Sequence, residues 1–154
     1  MKRGRFALAA AVLGALVVAG SGSGARATQT IGLKASLDAL QQVPRQAVKE
    51  PSARGVFTGT LTINASTRRI AWRLTFTRLS GRAIAAHLHL GKYGRSGPIG
   101  FTLCRPCRAG VHRTLSVSAK VVAAIKNGAA YVDVHTKKNP RGEIRGQLRL
   151  LTGS

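Results

Sequence analysis

Apolar and polar positions alternate along most of the chain after residue 27, with the period of two that a half-buried β-strand imposes on its side chains. Ile31, Leu33, Ala35, Leu37 and Ala39 keep the alternation for five pairs, and a polar, proline-containing loop runs from Gln41 to Arg54. Phe57, Gly59, Leu61 and Ile63 resume it, Asn64 to Arg69 makes a turn, and Ile70, Trp72, Leu74 and Phe76 face one way against Arg73, Thr75 and Thr77. After Ser80-Gly81 the spacing predicts Ile84, Ala86, Leu88 and Leu90 on one face and His87 and His89 on the other. Ile99, Phe101 and Leu103 form a short strand, and Val111, Arg113, Leu115 and Val117 another. Ser118 to Lys126 is the one helical stretch: Ser118 can cap it, Val121, Val122 and Ile125 share a face, and Asn127-Gly128 can stop it. Val132 and Val134 then oppose Tyr131, Asp133 and His135, while Ile144, Leu148 and Leu150 oppose Glu143, Arg145, Gln147 and Arg149. Seven or eight short strands with one short helix predict an all-β fold, an antiparallel β-sandwich or barrel.

The first 27 residues follow a different pattern. Lys2, Arg3 and Arg5 precede an apolar run from Phe6 to Gly20, and small residues lead to Ala25-Arg26-Ala27. Basic, apolar and A-x-A segments in this order describe a secretory signal peptide, cut after Ala27. The apolar run is shorter than the ~20 residues that span a bilayer, and no later stretch is apolar for long enough. The expectation is a signal peptide over residues 1–27, one domain over 28–154, and a protein secreted to the extracellular space or periplasm.

Removal of the signal takes Lys2, Arg3, Arg5 and Arg26 with it and leaves 21 bases against four acids (Asp38, Glu50, Asp133 and Glu143), a net charge near +17. Such a surface attracts polyanions. The bases are scattered, with no run of five or more, and two Tyr, one Trp and four Phe supply little for base stacking. Specific nucleic-acid binding is therefore not expected; the partner is an unidentified protein or an anionic cell-surface polymer. Cys104 and Cys107, in Cys-Arg-Pro-Cys, could form a disulfide, half a zinc site or a redox pair. An oxidising compartment favours the disulfide, fixing a turn and stabilising by at most about 2 kcal/mol.

Three segments carry a family resemblance: Ala86-His87-Leu88-His89-Leu90-Gly91, Gly128-Ala129-Ala130-Tyr131-Val132-Asp133-Val134-His135-Thr136, and Asn139-Pro140-Arg141-Gly142-Glu143-Ile144-Arg145-Gly146-Gln147-Leu148. Together they resemble the CHRD (chordin-type) domain, with its A-H-I-H-x-G, Y-V-N-V-H-T and P-x-G-E-I-R-G-Q stretches, in a bacterial-type single-domain form. The resemblance covers about Ile31 to Leu150 and departs at Asp133, where the family usually has Asn. It implies an extracellular β-domain. Nothing in the chain resembles chordin's cysteine-rich modules, so growth-factor antagonism is not carried over.

His87 and His89 stand roughly 6.5–7 Å apart along one strand face, close enough for two imidazoles to converge on an ion. His135, with Asp133 two residues before it, could add ligands if the two strands are neighbours, and imidazole with carboxylate suits copper or zinc. An immunoglobulin-like or superoxide-dismutase-like sandwich accommodates such a strand, the latter by fold-level analogy only. The competing reading makes the histidines structural, hydrogen-bonded to backbone or carboxylate and fixing the loop Gly91 to Pro98, with Glu143 and Arg145 as partners. His112 stands apart, expected in solvent. No G-x-S-x-G, P-loop, H-E-x-x-H or spaced carboxylate pair is present, and Gly91 to Gly97 lacks the helix that a phosphate cradle needs and reads as a mobile turn. The chain is expected to be a binding or scaffold module and not an enzyme, with copper or zinc binding as the alternative.

Overall fold

The computed structural model describes residues 27–45 and 52–151. The expected signal segment, apart from Ala27, lies outside the described residues, as does Glu50. Nine strands form one antiparallel sheet: β1 (Gln29–Asp38), β2 (Arg54–Ile63), β3 (Arg68–Thr77), β4 (Ala83–Leu90), β5 (Ile99–Cys104), β6 (Val111–Ser116), β7 (Ala130–Thr136), β8 (Ile144–Gln147) and β9 (Arg149–Leu151). The order across the sheet is β5-β4-β7-β8-β1-β2-β3-β6, with β9 paired to β1 beside β8. The fold is all-β, and the sheet wraps around one core in the manner of a sandwich or barrel.

Each strand contributes its alternate apolar residues to that core. Leu33 and Leu37 of β1, Phe57 and Leu61 of β2, Ile70 and Leu74 of β3, Leu88 of β4, Val132 and Val134 of β7 and Ile144 of β8 are all at most 1% exposed. Helix α1 (Ala119–Lys126) packs Val121, Val122 and Ile125 against them. Ser118 caps it by accepting a hydrogen bond from the Val121 N–H, and Gly128, at φ +64°, ends it in the left-handed conformation that glycine adopts without strain. The sheet edges β5 and β6 do not pair. The loop between them spans the gap instead: the Cys107 N–H donates to Ala83 O and the Gly110 N–H to Leu74 O. Cys104 and Cys107 stand in this loop with their sulfurs at a disulfide distance of 2.10 Å.

Two local departures from strict alternation have physical causes. Ile84 does not share a face with Ala86 and Leu88. The β4–β7 register shifts between Ala83 and Ala85, so Ile84 is the extra residue of a β-bulge, half-buried, while Ala83 takes the inward place. Leu150 is 40% exposed, because the last run divides at Leu148, whose N–H turns to Ala130 O, and β9 continues paired, among the described residues, with β1 alone.

Candidate metal centre

The outward face of β4, β7 and β8 is where the histidines stand. The register pairs His87 with Asp133 and His89 with Tyr131 across β4 and β7, and Asp133 with Arg145 across β7 and β8. Paired residues share a face, so His87, His89, Asp133 and His135 project together. Each offers a ligand atom, and these atoms lie within 4.8 Å of one another. His135 Nε2 is 2.7 Å from Asp133 Oδ1 and 3.0 Å from His87 Nδ1; His89 Nε2 is 3.4 Å and His87 Nδ1 3.9 Å from the same carboxylate oxygen. Ligand atoms around a tetrahedral ion with bonds of about 2.0–2.1 Å are about 3.3 Å apart. The observed separations bracket that value.

The backbone decides which ring nitrogens face inward. His89 Nδ1 lies 2.9 Å from Gly97 O, and His135 Nδ1 lies 3.1 Å from Pro140 O. A carbonyl can only accept, so both Nδ1 atoms carry hydrogen, and in the neutral rings both Nε2 atoms present lone pairs to the Asp133 carboxylate. His89 Nε2 and Asp133 Oδ1 are buried and make no hydrogen bond. The 2.7 Å approach of His135 to Asp133 is therefore a close contact without hydrogen-bond alignment. Lone pairs converging on a carboxylate need a cation between them, and without a metal a proton takes that place. Burial opposes charge on both His135 and Asp133, but each is stabilised by the other: the His135 pKa is raised above the usual imidazole value, and that of Asp133 is held below the usual carboxylate range. His87 is shifted the other way, by burial first and by the His135 charge second.

A surrounding layer holds these groups. The Tyr131 ring stacks on His89 at 4.8 Å and 8°, and the Arg145 guanidinium lies over the Tyr131 ring, 3.5 Å from its centroid. Arg145 donates to Arg95 O at 2.8 Å, and Gln147 Nε2 donates to Gly91 O and Gly128 O. The loop from Gly91 to Pro98 is thus strapped to the sheet where a mobile turn was expected. It passes so close to β4 that a Cβ on Gly97 would lie 1.8 Å from Leu90 O, which is why glycine stands beside the carbonyl that orients His89.

Glu143 and Arg145 are not the histidines' partners. Glu143, fully buried, accepts from the Ser80 N–H, the Ser80 and Thr136 hydroxyls and the Asn139 amide at 2.5–2.9 Å. These bonds outweigh the burial that would raise its pKa and hold it low. The effect is to tie the β3–β4 connection and the β7–β8 loop, which carries Pro140, to β7. Sequence spacing gave no sign of this network or of the His89-Tyr131-Arg145 stack. His112 is exposed on β6, away from the cluster.

The profile of the CHRD domain matches residues 33–148. The chain belongs to the CHRD domain family. No curated protein and no solved structure matches it. All three resemblance segments of this CHRD domain contribute to one place: the first and second supply the four candidate ligands, and the third supplies Arg145, Gln147 and Glu143 around them. Among the described residues, no helix is long and apolar enough to cross a membrane.

Proposed function

We propose that this CHRD domain works outside the cytoplasm as a binding module, and that His87, His89, His135 and Asp133 hold one zinc or copper ion. The observation that supports the metal reading is the pair of backbone carbonyls, Gly97 O and Pro140 O, which commit two imidazoles to present Nε2 lone pairs beside a carboxylate oxygen that has no hydrogen-bond donor. Three imidazoles and a carboxylate form a donor set that suits either ion, and partly exposed rings give it a path of entry. The export reading rests on the order of segments in residues 1–27, and no residue is assigned a catalytic step.

The same carbonyl contacts favour a second reading, in which the histidines clasp the Gly91–Pro98 loop and the β7–β8 loop to the sheet without metal. Mature protein purified after export, stripped with a chelator and titrated calorimetrically with zinc and with copper, separates the two. One ion per chain, lost in His87→Ala/His89→Ala, supports the metal centre. No binding of either ion, with the double variant melting at lower temperature, leaves only the clasp. Protein that stays in the cytoplasm with residues 1–27 attached counts against the export reading.

A further inference from the structure

A second outward face lies on the other half of the sheet, and it is bare and basic. The register sets Arg149, Lys34, Thr58, Arg73 and His112 side by side across β9, β1, β2, β3 and β6. All five are exposed. The adjacent row reads Leu151, Gly32, Thr60, Ala71 and Thr114, so that, apart from the exposed Leu151, small side chains lie next to the bases. At the β2, β3 and β6 end of these rows lies a shallow trough of about 490 Å³, lined among others by Thr58, Thr60, Arg73, His112 and Arg113, while Lys34 and Arg149 line a second hollow at the β9–β1 end, with Leu151 common to both.

The three described acids do little to neutralise this face. Asp133 and Glu143 are buried on the other half, Asp38 accepts from Gln41 at the end of β1, and Glu50 lies outside the described residues. Among the described residues Lys34, Arg73 and Arg149 have no ion-pair partner, and the register puts Lys34 directly opposite Arg149. Like charges opposed across strands are destabilising, and neighbouring strands are only about 4.8 Å apart. A linear polyanion laid along the row, across both hollows, would remove that repulsion, with the threonine hydroxyls donating to its oxygens.

We propose that this basic row, with the two hollows along it, is the docking surface for an acidic cell-surface polysaccharide carrying phosphate or sulfate groups. A polysaccharide fits better than a nucleic acid because, among the described residues, the face has no exposed Phe, Tyr or Trp ring and only the His112 imidazole: Trp72 and Phe57, the large aromatics nearest the row, point into the core. The site is independent of the metal centre, which occupies the other half of the sheet.

The test uses heparin as the probe and the mature protein with its charge altered in two ways. Lys34→Gln/Arg73→Gln/Arg149→Gln empties the row, and Arg108→Gln/Lys120→Gln/Lys138→Gln removes the same charge from exposed positions elsewhere. The row variant is expected to lose at least tenfold in heparin affinity at 0.15 M salt and to show a log K against log salt slope shallower by about 2, at roughly 0.7–0.9 per lost contact. The control variant is expected to change less than threefold. Thr58→Glu, which adds an acid in the middle of the row and removes no base, is expected to weaken binding as the row variant does. Equal losses in the two triple variants would show that the charge acts diffusely and overturn the proposal. Tighter binding to duplex or single-stranded DNA than to heparin at equal salt would overturn the polysaccharide assignment.

Discussion

The two halves of the sheet have the same strand chemistry inside and opposite treatment outside. On β4, β7 and β8 the outward residues are covered by loops, and, apart from atoms such as His89 Nε2 and Asp133 Oδ1 at the candidate metal centre, the polar groups are bonded: Glu143 has four donors, Arg145 a stacking ring and a carbonyl, and His89 and His135 a carbonyl each. On β9, β1, β2, β3 and β6 many of the outward residues are threonines and bases in solvent, and among the described residues Lys34, Arg73 and Arg149 have no ion-pair partner. Burial makes each polar group on the covered half matter, because a buried donor or acceptor left unmade costs about 1–3 kcal/mol. Solvent makes the bare half tolerant, since surface substitutions usually shift stability by less than about 0.5 kcal/mol.

The largest break in that contrast is expected from Glu143→Ala. Four donors lose their acceptor, and a loss of about 3–5 kcal/mol is expected in urea unfolding. The pH dependence has a definite sign. A carboxylate whose folded pKa is depressed contributes stability that is complete above its unfolded value, about 4.3, and disappears as pH falls through the folded value. The wild-type unfolding midpoint should therefore drop below pH 4.3, and Glu143→Gln should drop less steeply over that range. An identical slope would remove Glu143 from the account.

Gly97→Ala should come next. The new methyl group has to push the loop off β4, costing about 2 kcal/mol as an overpacked contact. It also moves the carbonyl that orients His89, so zinc or copper affinity should fall about 10- to 100-fold, the usual effect of disturbing a group that positions a ligand. A stability loss with affinity intact would mean that the carbonyl does not orient the ring.

Arg145→Lys keeps the charge but cannot both lie flat on Tyr131 and reach Arg95 O. A loss of about 1–2 kcal/mol is expected by thermal melting, and hydrogen exchange should quicken in the 91–98 loop. The smallest change belongs to the bare half. Lys34→Glu converts the repulsive pair with Arg149 into an attractive one and should stabilise by about 0.5 kcal/mol at low salt, with the gain disappearing at 1 M salt. Destabilisation there would mean that the bare face is not as tolerant as its exposure implies.

Much of the fold was legible because side-chain direction in a strand has a period of two whatever the strand packs against. Leu33, Ala35 and Leu37, or Ile70, Trp72 and Leu74, declare their inward face by composition alone, and Ser118 and Gly128 bound the helix by local chemistry. Ile84 was misplaced because a bulge changes the phase without changing the residues, and Leu150 because alternation continues past the point where the chain leaves its partner. In the site, the pairings of His87 with His89 and of Asp133 with His135 on their own strand faces were visible in the spacing. The roles of Glu143 and Arg145 were not: both are charged and close to histidines in the family motifs, but their partners, Ser80, Asn139, Tyr131 and Arg95, are set by loop paths that spacing does not encode.

What the sequence by itself determined is local: which residues form strands, which side of each strand is apolar, the caps of the one helix and, through three long motifs, membership of the CHRD family. Only the tertiary structure decided that β4 lies beside β7, although β5, β6 and α1 intervene in the chain, and so that two half-sites become one cluster. It also decided which ring nitrogens face that cluster, since this depends on where the carbonyls of Gly97 and Pro140 arrive. The physical reason is the range of the interactions: alternation and capping are settled by neighbours a few residues apart, whereas strand order and loop closure follow from how the whole sheet covers its core.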